Sequence, residues 1–314
     1  MSVEHPTRSR ANPGGARTLE LGEVVPFGER KPPWFKVPAP GSPRYRELRR
    51  LMDEEGLHTV CQEAACPNIG DCWQRGTATF MILGDTCTRR CGFCNVKTGK
   101  PTHHDPLEPL RVAQSVKRMG LRHAVITSVD RDDLPDLGSS AFVGVIRSIR
   151  RLAPGTKVEV LTPDFRGEEM PLARVIAERP DVFNHNVETV PRLYPVARRG
   201  SQFLRSCRVL RNARELGEGQ VVTKSGLMTG LGESRGEMLD AFGTLREYGV
   251  QVLTVGQYLR PTRDHLPVVR YWHPDEFADL EREAYAMGFD SVAAGPLVRS
   301  SYHAEQTLEQ AATR

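Results

Sequence analysis

With 314 residues, 39% hydrophobic and 26% charged, the chain can bury a real core as one large α/β domain or two small ones. No apolar run approaches the roughly 18 residues of a membrane span, and the N-terminus lacks the apolar centre of a secretory signal. The formal charge of +4 sits at the front: residues 1–50 carry ten Lys/Arg and five Asp/Glu, leaving 33 of 43 basic and 34 of 39 acidic residues for a near-neutral body without a nucleic-acid binder's basic stripe.

Residues 1–40 are rich in Pro, Gly and Arg (ANPGGAR, RKPPWF, VPAPGSP) and read as a flexible leader, extended or disordered and solvated. Glu4, Glu20, Glu23 and the prolines speak against an organelle-import leader, which leaves a bacterial-type cytoplasm. Residues 41–76 form an N-terminal extension. Within it PRYRELRRLMDEEG reads as a short helix stopped by Gly56, followed by a loop carrying Cys61, Cys66 and Cys72.

From residue 77 to 296 apolar strands alternate with amphipathic helices. ATFMIL, RHAVITS, TKVEVLTP, DVFNHNVET, QVVTKSGLM and VQVLTVGQY read as strands, and DSVAAG as a last short extended segment. LEPLRVAQSVKRMG, SSAFVGVIRSIRRL, EEMPLARVIAE, FLRSCRVLRNARELG, RGEMLDAFGTLREYG and HPDEFADLEREAYAMG read as the helices between them. That alternation implies an α/β fold with a parallel sheet, a barrel or partial barrel of six units, with reactive groups at the C-terminal strand ends. Residues 297–314 are a tail containing RSSY.

Six of the seven cysteines fall into two triplets, C-x4-C-x5-C at Cys61, Cys66 and Cys72 and C-x3-C-x2-C at Cys87, Cys91 and Cys94. Three local thiols cannot all pair, so metal ligation in a reduced compartment accounts for them better than disulfides. Zinc prefers four N/S ligands, often as two C-x2-C pairs. His103 and His104 could complete such a set but read as surface residues. Three thiolates instead suit three irons of a [4Fe–4S] cube, leaving the fourth iron open to a small molecule. Cys207, inside an amphipathic helix, reads as a small buried residue. Arg89 and Arg90 read either as solvated charges or as neutralisers of a negative cluster or carboxylate.

The C-x3-C-x2-C run with Phe93 before its last cysteine resembles the signature of the radical S-adenosylmethionine enzymes. CQEAACPNIGDCW, LGDTCTRRCGFCNV, TSVDRDDLPD, NHNVETV, SGLMTGLGE and RSSYHA together resemble the lipoyl synthase family over roughly residues 30–305. That resemblance implies a partial (β/α)6 barrel with extensions at both ends for an auxiliary cluster. It implies that Cys87, Cys91 and Cys94 hold the cluster that cleaves S-adenosylmethionine. Cys61, Cys66 and Cys72 would hold an auxiliary [4Fe–4S] cluster, with Ser300 of RSSY as its fourth ligand. Serine is a hard, displaceable donor among soft sulfurs, which suits a cluster meant to be dismantled.

The implied reaction places two sulfur atoms at C6 and C8 of a protein-bound octanoyl-lysine, using two S-adenosylmethionine molecules and sulfur from the auxiliary cluster. Gly226, Met228, Gly230 and Glu233 fit the family's adenine-contacting stretch G-x-I-x-G-x-x-E, with Met in place of Ile. Ser128 and Asp130 stand where many relatives have Gly-Gly-Glu, and Asn186, Glu188 and Lys224 read as strand-end contacts to the cosubstrate. The implied partners are octanoylated carrier domains (2-oxoacid dehydrogenase E2, glycine cleavage H protein), a ferredoxin or flavodoxin, and an iron–sulfur carrier protein, with no nucleic acid and no membrane. The competing readings are a biotin synthase-like radical sulfur inserter and a non-catalytic iron–sulfur carrier.

Overall fold

The computed structural model describes residues 23–36, 41–54, 68–102, 105–302, 304–306 and 308. Seven strands form one parallel sheet whose spatial order is the chain order: β1 (Thr77–Ile82), β4 (His123–Ser128), β5 (Lys157–Leu161), β6 (Val182–Asn184), β7 (Val222–Thr229), β8 (Val252–Gln257) and β9 (Ser291–Gly295). A two-residue pair, β2 (Thr86–Cys87) with β3 (Lys97–Thr98), frames the second cysteine run. Helices α1 (Pro43–Glu54) and α2 (Ile69–Arg75) precede the sheet. Between strands lie α3 (Glu108–Met119), α4 (Ser139–Leu152), α5 (Glu169–Ala177), α6 (Tyr194–Ala197), α7 (Phe203–Leu216), α8 (Arg235–Glu247) and α9 (Pro274–Ala286). No ladder joins β9 to β1 among the described residues, so the curved sheet is a partial barrel. Among them no helix is long and apolar enough to cross a membrane.

Strands covered on both faces carry near-continuous apolar runs, and every residue of β1 and of β8 is buried. Local signals place the helix ends. Ser234 and Glu237 form a reciprocal capping box at the start of α8, and Gly120 closes α3 at φ +59°.

Four expectations need correction. Cys72 sits in α2 rather than a loop, because Ile69, Cys72 and Trp73 share a buried face and Gly76 ends the helix in the left-handed region. The segment 181–189 is a strand only to Asn184. Beyond it the chain turns, with Glu188 at φ +66° and bridged only to Leu227. The terminal extended segment is a full seventh strand, paired with β8 from Ser291 to Gly295. Part of the leader is ordered. Val25 N–H donates to the Val268 carbonyl at 2.8 Å, and Trp34 and Phe35 meet His273 and Tyr271 at 5.0 and 5.3 Å between ring centroids. Its apolar side chains are too few for a core of their own, yet enough to strap residues 23–36 to the barrel.

Inside the barrel a polar knot joins four neighbouring strands. Glu159 accepts from Asn184 Nδ2 at 2.9 Å, pairs with Lys224 Nζ at 3.0 Å and lies 3.3 Å from His123 Nε2, all buried. Burial alone would push the Glu159 carboxyl up; Lys224 and His123 outweigh it and hold it below the usual carboxylate range. Lys224→Ala strands a buried carboxylate and is expected to lower stability by about 3–5 kcal/mol in urea unfolding. Because the folded-state pKa is the depressed one, the knot's contribution is complete above the unfolded value of about 4.3 and declines as pH falls below it.

Candidate functional site

The C-terminal ends of the strands open into one cavity of about 840 Å³. Cys87, Cys91 and Cys94 line it with Phe93, on the loop between β1 and α3. That loop is held on several sides. Gly92 N–H donates to the Ala197 carbonyl at 2.8 Å, and Leu266 N–H donates to Gly92 at 2.9 Å. A Cβ on Gly92 would come within 2.9 Å of both Leu266 Cγ and the Val196 carbonyl oxygen, so only glycine fits. Thr88 N–H and Oγ1 both donate to the Asp130 carbonyl, at 3.0 and 2.9 Å. The backbone N–H groups of Arg89 and Asp130 point at Cys87 Sγ, at 3.4 and 3.3 Å.

Arg89, buried between these cysteines, is clasped by three carboxylates: Asp132 through two bonds of 2.7 and 2.8 Å, Asp164 at 2.7 Å and Asp130 at 3.4 Å. It therefore fastens the cysteine loop to the loops after β4 and β5, while Arg90 is exposed. Burial pushes the Cys87 thiol up to about 11 and the Cys91 thiol up to about 12, and raises Cys94 as well. Ligation of iron requires the thiolates, so cluster binding at these three cysteines would release protons and be favoured by rising pH. Among the described residues no three Cys, His, Asp or Glu side chains converge on one point. A cube binds each thiolate through a different iron, so its sulfurs surround it rather than meet.

Polar atoms without partners among the described residues belong to residues of the same cavity wall. Ser128 Oγ, Thr162 Oγ1 and Asn186 Oδ1, on cavity-lining residues, are buried and have no hydrogen-bond partner among the described residues. Buried polar groups are ordinarily satisfied, so such a set fits a polar ligand. Burial raises the Asp130 carboxyl against the pull of Arg89 and Arg198, and the Glu188 carboxyl against that of Arg198. Arg198 is buried and donates to the Asn186 carbonyl at 2.7 Å and to Ser206 Oγ at 3.0 Å. A Cβ on Gly226 would meet Thr254 Oγ1 at 2.6 Å, so the β7 floor is necessarily flat there.

Several anticipated contacts lie elsewhere. Lys224 is the third residue of β7, not its end, and its ammonium is committed to Glu159 inside the barrel, away from the cavity. Gly230 and Glu233 shape the turn after β7. Glu233 accepts from the N–H of Gly230 and of Leu231, at 2.5 and 2.9 Å, and a Cβ on Gly230 would strike Gln257 and Arg270. Ser128, Asp130, Asn186, Glu188, Gly226 and Met228 do line the cavity. Arg198 and Thr162 escaped sequence reasoning because neither belongs to a motif; only the fold carries them to the strand ends. Cys207 is a buried α7 residue, as its helical position implied.

The C-terminal run arrives at the same cavity. Val298, Arg299, Ser300 and Ser301 line it. The loop crosses β8 at Gly256, where a Cβ would lie 2.1 Å from the Val298 carbonyl oxygen. Asn68 Nδ2 donates to the Leu297 carbonyl at 2.6 Å, and Thr77 Oγ1 donates to Glu305 at 2.8 Å, tying the start of α2 and the start of β1 to the same run. Cys72 is buried beside this tie, near enough to Tyr302 to add to burial in raising its phenol. Cys61 and Cys66, and likewise His103 and His104, lie outside the described residues.

Residues 81–254 match the Radical SAM superfamily. The chain is 56% identical to a lipoyl synthase of Rubrobacter xylanophilus over 92% of its own length and 91% of the relative's. It is 53% identical to a lipoyl synthase of Nitrosospira multiformis, covering 90% and 89% of the two chains. Among solved structures it is similar to methylornithine synthase (PylB), with TM-score 0.51, 14% identity and coverage of 79% and 81%. It is also similar to the FeFe-hydrogenase maturase HydG from Carboxydothermus hydrogenoformans, with TM-score 0.51, 15% identity and coverage of 84% and 69%. At those identities the structural likeness speaks for the fold alone.

Proposed function

The chain belongs to the lipoyl synthase family of the Radical SAM superfamily, and from that premise we propose the work its residues do. It is a sulfurtransferase that replaces one hydrogen at C6 and one at C8 of a protein-bound N6-octanoyl-lysine with sulfur, giving lipoyl-lysine and consuming two S-adenosylmethionine molecules. When bound, its two [4Fe–4S] clusters supply an electron for cleavage of S-adenosylmethionine and the sulfur for insertion.

Cys87, Cys91 and Cys94, which line the cavity, would hold one cluster. Cys61, Cys66, Cys72 and Ser300 would hold the other. Ser128, Thr162 and Asn186 receive the polar part of S-adenosylmethionine. Asp130 and Glu188 suit its ammonium and Arg198 its carboxylate. The glycine floor at Gly226, beside Met228, leaves room for a planar base. Met81, Val129, Leu161 and Leu227 give the cavity an apolar wall, which suits an alkyl chain and excludes water from it.

The carriers that present the octanoyl-lysine are lipoyl domains of 2-oxoacid dehydrogenase E2 components and the glycine cleavage H protein. A ferredoxin or flavodoxin gives the electrons, an iron–sulfur carrier rebuilds the consumed cluster, and the setting is the cytoplasm.

One observation carries this reading: three half-buried thiols and the Ser300 loop share a single cavity at the strand ends. The test is an anaerobic reaction of reconstituted, reduced protein with an octanoyl-lysyl substrate and S-adenosylmethionine. Mass spectrometry should show product with two added sulfurs and about two 5′-deoxyadenosines per product. Release of 5′-deoxyadenosine with no sulfur in the substrate would overturn the reading.

A further inference from the structure

Resting on that function, we propose that the lip formed by Phe27, Lys31, Arg260 and Arg263 is the docking surface for an acidic face of the carrier protein. The reacting carbons belong to an acyl chain on one lysine side chain. That arm is short and must enter the cavity, so the protein bearing it has to rest on the cavity lip. The chemistry of the lip then selects the chemistry of the carrier's surface.

Lys31 and Arg260 line the cavity, and Lys31 and Arg263 are exposed. Among the described residues none of the three has a carboxylate within salt-bridge distance. Arg260 donates to the carbonyls of Thr262, at 3.1 Å, and Arg263. Of the acidic groups near the lip, Asp85 is matched by Lys97 at 3.7 Å, and exposed Glu29 and Asp264 are outnumbered by Arg30, Lys31, Arg260 and Arg263. Phe27 stands among these cations, 44% exposed, with the guanidinium carbons of Arg260 and Arg263 each 5.4 Å from its ring centre. An exposed aromatic held between arginines is the composition of an interface anchor.

The strap that carries Phe27 is fixed at both ends, by the Val25–Val268 hydrogen bond and by the Trp34 and Phe35 ring contacts. The lip is therefore preorganised. Beyond residue 50 the chain is near neutral, so the excess of cations at the mouth forms a local field that attracts negative charge. Complementary charge at such a rim acts mainly on encounter, with strong salt dependence.

The experiment compares two substrates of the reconstituted full chain: the octanoylated carrier protein and a short uncharged N6-octanoyl-lysyl peptide. Arg263→Glu should raise KM for the carrier about tenfold and leave KM for the peptide within about twofold. Phe27→Ala should raise the carrier KM without altering its salt dependence. Wild-type KM for the carrier should climb with added salt while that for the peptide stays flat. Lys117→Glu, exposed on α3, should change neither. The proposal is overturned if Arg263→Glu leaves the carrier KM unchanged, if it raises both values equally, or if the carrier reaction is insensitive to salt. Failure of wild-type protein to thiolate either substrate would instead sink the function itself.

Discussion

Cys87→Ala is expected to abolish 5′-deoxyadenosine formation, a fall of roughly 10³-fold or more, equivalent to about 4 kcal/mol. The loss should not come from unfolding. Cys87 is half-buried in a two-residue strand outside the main sheet, and its sulfur receives only long N–H contacts from Arg89 and Asp130. Thermal melting should therefore move by no more than a few degrees, while iron per chain drops from about eight to about four. Reduced protein incubated with S-adenosylmethionine, analysed by chromatography and iron assay, checks both. Cleavage that persists at full iron content would remove Cys87 from the proposed role.

Cys72→Ala should separate the two halves of the chemistry. The change lies in α2, beside the Asn68–Leu297 tie and away from the cavity wall that carries Cys87, Cys91 and Cys94. Cleavage of S-adenosylmethionine should survive at a comparable rate, while sulfur-containing product falls below detection and iron again drops to about four per chain. Truncating one buried cysteine costs about 1 kcal/mol, too little to unfold the chain. Lipoyl product formed at the wild-type rate would mean that Cys61, Cys66 and Cys72 are not the sulfur-bearing set.

The chemistry was legible where it is local. Ligand spacing at Cys87, Cys91 and Cys94 lies within one loop, and Ser300 was reachable only through resemblance. Alternating apolar segments disclosed a parallel sheet, because strands buried on both faces carry that signature over their whole length. Lys224 shows where such reading stops. Its depth depends on the register that sets it opposite Asn184 and Val252, and on β7 running five residues further to Thr229. Arg198 shows a second boundary. Its partners Asn186, Tyr194, His185 and Ser206 include residues that only tertiary packing brings to it. The turn after β7 shows a third. Gly230 and Glu233 match a cofactor-contact pattern, yet in this fold they satisfy the turn's own backbone and packing.

The hydrogen bonds from Asn68 to Leu297 and from Thr77 to Glu305 span 229 and 228 residues. Contacts that close so large a loop form late, after local helices and adjacent strands have ordered. On the ribosome, Asn68 at the start of α2 and Thr77 at the start of β1 must therefore wait until nearly the whole barrel has emerged before their partners are available. Residues 297–302 lie outside any helix or strand, so their amides should exchange quickly, and faster still in Asn68→Ala, while α2, with Ile69, Cys72 and Trp73 buried, keeps its protection.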